Sequence, residues 1–325
     1  MRALLKVTVA ASIYTGILAA AAPALAENYP TKYVRIITAG LGTFHDIVTR
    51  HLAQRLSERW GQPVVVENRP GAGLTIGTAI AAKSAPDGYT LLMADRTSIA
   101  AAPSLYKNLP YDPVKDFSPI TLVALAPLML VAHPSVPAAN LREFIDYAKQ
   151  RPGAIDFATA GPATATHMTG ELLKHVAAID LMTVQYKGGG PAIIAIVSGE
   201  AKAGFSALPN ALPHLTAGKV KAYAVTSKKR FAGAPDVPTA IEAGLAGFES
   251  EQWIGMLAPV RTPAALIVKL NREIVEILQS PAMQATLRAQ GAEPAPGTPE
   301  EFAAYIQSET VKLKKVIEVA GIRAD

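Results

Sequence analysis

The chain is predicted to be an α/β protein of two lobes, each a mostly parallel sheet flanked by helices, joined by a hinge that the backbone crosses twice. Three observations predict this. The first hundred residues alternate short β-branched runs with helical spacing in the order β-α-β-α-β, the pattern of a parallel sheet with helices on its faces. The same alternation resumes after Ile120 to His133, an almost wholly apolar stretch that reads as extended chain crossing into a second lobe. A strand-like run, Gln252 to Pro259, then follows the second lobe and precedes only helices, so it most simply returns to complete the first sheet. The expected division is 27–125 with 252–325 for one lobe and 126–251 for the other, and two crossings make a hinge.

Each element has a local reason. Val34 to Ala39 is a β-branched and apolar run, and from Asp46 the spacing turns helical as far as Trp60, with Ile47, Val48, His51, Leu52 and Leu56 on one side. Gly61 ends that helix, with Pro63 just beyond. Val64 to Val66 is the next strand, a helix is expected from about Leu74 to Ser84, Pro86-Asp-Gly88 is a turn, and Tyr89 to Ala94 is the third strand. Thr97 to Pro119 is rich in proline and reads as irregular. In the second lobe helices are expected at Asn140 to Gln150, from His167, at Pro191 to Ser198 and near Pro209 to Ala217. Strands are expected at Ile155 to Thr159, Met182 to Tyr186, Lys202 to Ser206 and Val220 to Thr226. The tail should be helical over Pro263 to Gln279, Ala282 to Gln290 and Pro299 to Ala320.

Arg2 and Lys6 precede an uncharged apolar run from Val7 to Ala22, and Ala24-Leu25-Ala26 closes it. This is the form of a secretory signal peptide spanning 1–26 with cleavage after Ala26, and the run is too short to span a membrane comfortably. The chain is thus expected to be exported to the periplasm, and no later segment reaches spanning length without a charge or a proline. There is no cysteine, which excludes disulfides, thiolate chemistry and a lipid-anchored N-terminal cysteine. The net charge of +5 falls by two once Arg2 and Lys6 are removed, and the remaining charges are interspersed. Nothing resembles a nucleic-acid surface.

The stretch from Val34 to Arg50 is the one around which a site is expected. A strand that stops at a small, glycine-bearing loop and enters a helix leaves backbone N–H groups outward, with the positive end of the helix dipole behind them. Ile155 to Thr166 repeats the arrangement, with a loop over Ala160 to Thr166 before the helix from His167. Two such loops suggest a ligand held between lobes. Thr164 and Thr166 add hydroxyl donors beside the amides of the following helix.

Several motifs are specific enough to carry a resemblance: Val64-Val-Val-Glu-Asn-Arg-Pro-Gly-Ala-Gly73, Pro86-Asp-Gly-Tyr-Thr90, Leu109-Pro-Tyr-Asp-Pro-Val-Lys-Asp-Phe117, Tyr186-Lys-Gly188, Leu212-Pro-His214 and Ala224-Val-Thr-Ser227. In this order, and over essentially the whole mature chain, the sequence resembles the solute-binding proteins of the tripartite tricarboxylate transporter family, the Bug proteins. The resemblance implies a two-lobed periplasmic-binding-protein-like fold of type II. It implies a receptor, not an enzyme, that closes on a small organic carboxylate and delivers it to a membrane permease, acting as a monomer without a cofactor. It also implies that backbone amides and ordered waters at the two strand-loop-helix junctions grip the ligand carboxylate.

The departures fall at those junctions. In the first loop, Thr38-Ala-Gly-Leu-Gly-Thr43 stands where the family has a proline-rich segment, and only Gly42 and Asp46 match. In the second, Gly161, Thr164, His167, Gly170 and Glu171 match, but Ala163 replaces glycine. Phe205-Ser206 and Asp95-Arg96 also depart from the usual pattern. The candidate ligand-binding residues are therefore Ala39, Gly42, Thr43, Phe44, Asp46, Arg96, Thr97, Gly161, Thr164, Thr166, His167 and Ser206. Arg96 is expected at the mouth of the cleft to pair with a carboxylate, and Leu41 or Phe44 as an apolar wall, which together suggest a ligand with an apolar or aromatic body.

Competing chemistry is weaker. Gly71-Ala-Gly-Leu-Thr-Ile-Gly77 with Asp95 mimics a dinucleotide fingerprint, the mark of an NAD(P)-binding oxidoreductase. Asn68-Arg-Pro70 separates its strand from the first glycine, however, and Ile76 is too large for close helix packing. His167 and Glu171 sit four apart, but no third metal ligand is nominated. A Gly-x-Ser-x-Gly elbow is absent from the sequence.

Overall fold

The computed structural model describes residues 28–323 apart from Gly42, so the stretch read as a signal peptide lies outside the described residues. The first lobe opens with β1 (Val34–Thr38), α1 (Phe44–Trp60), β2 (Val64–Asn68), a 3₁₀ turn (Ala72–Leu74), α2 (Thr75–Ala82) and β3 (Thr90–Asp95). α1 buries Val48, Leu52 and Leu56, one helical face, and ends at Gly61, whose left-handed φ of 63° lets its N–H close on the Ser57 carbonyl. The passage expected to be irregular instead coils at once into a π-helical turn (Arg96–Ala101) and a short helix α3 (Ala102–Leu105). Asp95 caps that turn in a reciprocal bond with Ser98.

β4 (Phe117–Ala132) is the long strand that the apolar run promised, and it serves both halves of the molecule. Its residues Phe117 to Pro127 pair antiparallel with β9 (Glu251–Pro259), while Leu128 to Ala132 pair antiparallel with β7 (Ala203–Ala207) and Met129 to Ala132, on the other edge, with β8 (Lys221–Val225). Pairing changes partners between Pro127 and Leu128. At that point Leu128 donates its N–H to Thr226 Oγ1 and accepts from the Thr226 N–H, both at 2.9 Å, and the Ser250 N–H donates to the Thr226 carbonyl at 3.1 Å. Both crossings of the chain are thus tied to each other.

The second half adds α4 (Leu141–Lys149), β5 (Asp156–Thr159), α5 (Ala165–Ala177), β6 (Met182–Gln185), α6 (Gly189–Ser198) and α7 (Leu208–Thr216). The tail contributes α8 (Ala264–Leu278), α9 (Pro281–Ala289), β10 (Glu293–Pro294) and α10 (Pro299–Ala320). The strand order is β2-β1-β3-β9-β4 in the first half and β6-β5-β7-β4-β8 in the second. Three parallel strands, one antiparallel insert and a fourth parallel strand recur in both, so the two lobes are topological repeats.

Each half-sheet is covered on both faces, as parallel sheets require. In the first lobe Ile36, Leu52, Leu270 and Ile274 fill one side, and Ile37, Leu92, Trp253 and Phe302 the other. Gly255 on β9 is needed there, because a Cβ would stand 2.1 Å from the Phe302 ring. Phe144, Phe157, Phe205 and Phe248 fill one side of the second half-sheet, and Val131, Ile193 and Ile196 the other. Met168 of α5 joins the first lobe's cluster. A buried hydroxyl bond of 2.6 Å also ties Thr169 of α5 to Ser250 on the returning crossing. Among the described residues no helix is long and apolar enough to cross a membrane.

Candidate functional site

The loops after β1 and β5 are built alike. Thr43 is the N-cap of α1: its hydroxyl donates to the Gly40 carbonyl at 2.7 Å and accepts from the Asp46 N–H at 3.3 Å, while its own N–H reaches Gly40 at 3.4 Å. Thr164 caps α5 with the same three bonds, to Gly161 at 2.7 Å, from His167 at 3.4 Å and from its N–H to Gly161 at 3.4 Å. Both strands end on a threonine whose carbonyl accepts the N–H of the first residue beyond the neighbouring strand, Arg69 on Thr38 and Tyr186 on Thr159. The shared element is Thr-Ala-Gly-x-x-Thr, at Thr38 to Thr43 and at Thr159 to Thr164. That repeat is legible in the sequence once the two loops are aligned residue by residue.

Each cap satisfies the third amide of its helix's first turn and leaves the first two. Among the described residues, the N–H groups of Phe44 and His45 on α1, and of Ala165 and Thr166 on α5, have no protein acceptor. These amides carry the positive end of each helix dipole, which is what a carboxylate requires. A pocket of about 370 Å³ lies between Gly73, Thr97, Leu105 and Tyr106 of the first lobe and Pro162, Ala163 and Thr164 of the second, with Arg323 at its edge. It brings together two of the expected residues, Thr97 and Thr164. The Thr97 hydroxyl makes no bond to protein among the described residues.

Other expected residues hold the loops rather than face the pocket. The Ala39 carbonyl accepts from Asn68 Nδ2 at 2.7 Å, and the same Nδ2 donates to Asp46 Oδ1 at 2.7 Å. Asp46 is buried and also faces Arg50 at 2.9 Å, so its carboxylate braces the loop from behind instead of meeting a ligand. Thr166 is buried and takes the Ala160 N–H at 2.8 Å. Gly161 sits at φ 124°, a conformation that favours glycine, and a Cβ there would approach the Tyr186 carbonyl. His167 Nδ1 accepts from the Ala163 N–H at 3.1 Å, which leaves the proton on Nε2, 3.8 Å from Glu171. Burial holds this imidazole below its ordinary pKa, and Glu171 is itself shared with Lys174 and Thr183.

Two expectations need correction, those for Arg96 and Ser206. Arg96 is not at the cleft mouth: it is 3% exposed and donates through Nε to Glu309 of α10 at 3.2 Å, because the π-helical turn aims it into that helix. Its neighbour Asp95 pairs with His45 at 3.2 Å instead. Ser206 is buried within β7 opposite Met129, with its hydroxyl on the Ala207 carbonyl. Phe44 packs on the first lobe's core and lines a second pocket of about 300 Å³ that also lies between the lobes, with Ile47 on one side and Asn210 on the other. Gly42 lies outside the described residues.

The glycines of the dinucleotide-like stretch serve packing. A Cβ on Gly77 would crowd Ile37, Leu74 and Arg69, and one on Gly71 would collide with Ile76. No cradle for a pyrophosphate is formed, because a 3₁₀ turn, not a helix start, follows Gly71.

Residues 48–322 match the model of the tripartite tricarboxylate transporter family receptor. The match begins inside α1, so the first Thr-Ala-Gly-x-x-Thr loop precedes it. The chain is similar to the protein BugT of Bordetella pertussis, 36% identical over 305 residues that cover 93% of this chain and 94% of BugT. Among solved structures it is similar to Rpa4515 of R. palustris with adipate, at 32% identity and a TM-score of 0.79 over 91% of this chain and 99% of that one. It is also similar to MatC of Rhodopseudomonas palustris with bound malate, at 33% identity and a TM-score of 0.74, covering 89% and 100%. The two-lobed α/β fold agrees with these relatives, and the chain belongs to the tripartite tricarboxylate transporter receptor family of Bug-type solute-binding proteins.

Proposed function

We propose that the chain is a periplasmic receptor that closes its lobes on a small organic carboxylate and presents it to the permease of a tripartite carrier. It acts as a monomer, without cofactor and without catalysis. The observation that carries this reading is the pair of Thr-Ala-Gly-x-x-Thr loops, each ending in two unpaired helix amides, with an interlobe pocket beside the second. Relatives solved with adipate and malate support a carboxylate as the ligand class. The lobes are taken to divide at 125/126 and 251/252 and to move about the Pro127–Leu128 step, where β4 changes partners. Export is taken to remove residues 1–26.

The carboxylate is placed on the Ala165 and Thr166 amides, with the Thr97 hydroxyl across the cleft, and the body of the solute is taken to be apolar or aromatic. Leu105, Pro162 and Ala163 supply that apolar lining. Arg96 has no part in it, since Glu309 already answers it. Calorimetry and thermal shift against a panel of aliphatic and aromatic acids test the reading: an acid that stabilises the chain with one site and is recovered unchanged supports a receptor. A panel in which no acid binds removes the carboxylate assignment, and turnover of any acid removes the receptor in favour of an enzyme.

A further inference from the structure

We infer that Arg323 is a specificity-determining residue, which pairs with a second anionic group on the solute so that the receptor prefers dicarboxylates to the matching monocarboxylates. This rests on the proposed reading of the interlobe pocket as the solute site. Of the residues that line the pocket, Arg323 is the single charged one, against Gly73, Thr97, Leu105, Tyr106, Pro162, Ala163 and Thr164. Its side chain is exposed and forms no hydrogen bond or ion pair among the described residues.

Its position is fixed by the end of α10. Gly321 closes that helix at φ 62°, the Ile322 N–H returns to the Ile317 carbonyl at 3.1 Å, and the Ile322 side chain is buried in the first lobe's core. The backbone of Arg323 is therefore anchored at the pocket edge while its guanidinium is left over. A monoacid seated on the α5 amides leaves that fork to solvent. A diacid answers both ends, and a guanidinium pairs with a carboxylate through two parallel N–H bonds.

The test compares adipate with hexanoate and terephthalate with benzoate by calorimetry on the full mature chain. In the better-bound pair the parent is expected to favour the diacid roughly ten- to a hundredfold, the range of a hydrogen-bonded charge. Arg323→Gln is expected to bring the ratio to about one with monoacid affinity unchanged, and Arg323→Lys to keep part of it. Added salt should shrink the parent's ratio toward that of Arg323→Gln. Because Arg323 is exposed, the variants should melt with the parent. A parent without diacid preference, or a preference that survives in Arg323→Gln, overturns the inference and leaves the carboxylate receptor standing. Failure of all four acids to bind overturns both.

Discussion

Replacing Thr164 by valine keeps the side-chain volume and removes every bond its hydroxyl makes. Those are the donation to Gly161 at 2.7 Å, the acceptance from the His167 N–H at 3.4 Å and the 3.1 Å contact with the Thr166 hydroxyl. Loss of a threonine cap costs about 1 kcal/mol of stability, with a usual range of about 0.5–2. For a protein of this size that corresponds to a melting temperature lower by about 1.5–2 °C. The effect on binding should be larger than the effect on folding, because the cap also sets the direction of the free Ala165 and Thr166 amides. Losing one bond to a charged group costs about 1.5–3 kcal/mol, or roughly ten- to a hundredfold in affinity. Thr164→Ser keeps the hydroxyl and should behave like the parent, which separates the bonding from the volume. Scanning calorimetry and titration calorimetry on the three proteins give both numbers. If Thr164→Val melts and binds like the parent, the capped loop is not what holds the carboxylate seat.

Glu309→Ala should destabilise the chain by about 3–5 kcal/mol, since it strands the buried Arg96, whose Nη1 already lacks a partner; a denaturant midpoint equal to that of Lys312→Ala would contradict this. Glu251, at the hinge opposite Pro127, has its pKa raised from 4.5 to about 7 by burial, with Glu249 and Glu309 adding to the rise and Lys312 and Lys228 opposing it. The folded state therefore holds a proton that the unfolded chain has released. The associated stability is fully present below about pH 4.5 and is lost as pH rises through about 7, up to about 3 kcal/mol in all. Glu251→Gln should flatten that decline in urea titrations at pH 5, 6.5 and 8, and parallel curves for the two proteins would refute the assignment. Small-angle scattering should show compaction when a tight acid is added, and an unchanged radius with a saturated site would argue against closure.

The architecture was largely open to reading from the chain alone, because its signals are local. β-branched runs, Gly61 after the last turn of α1 and the uninterrupted apolar stretch of β4 each state their own conformation. The return of Trp253's strand to the first sheet followed from counting strands and helices, and β9 does lie between β3 and β4. Side-chain direction was a different matter. Arg96 is expected from the sequence to meet a ligand carboxylate at the cleft mouth, but its partner is 213 positions away on the last helix, and no local pattern announces such a pair. Asp46 and Asn68 likewise meet across 22 positions to brace the first loop, which turned an expected ligand contact into scaffolding. The two-residue strand β10 exists only through its pairing with Leu125 and Ala124, so periodicity could not reveal it.

A crystal structure of the mature chain with a bound carboxylate tests the central claim most directly. The expected result is one carboxylate between the lobes, with its oxygens within hydrogen-bond distance of the Ala165 and Thr166 amides and the Thr97 hydroxyl across the cleft. A carboxylate found instead beside Phe44 and Asn210, or held by one lobe alone, would contradict it.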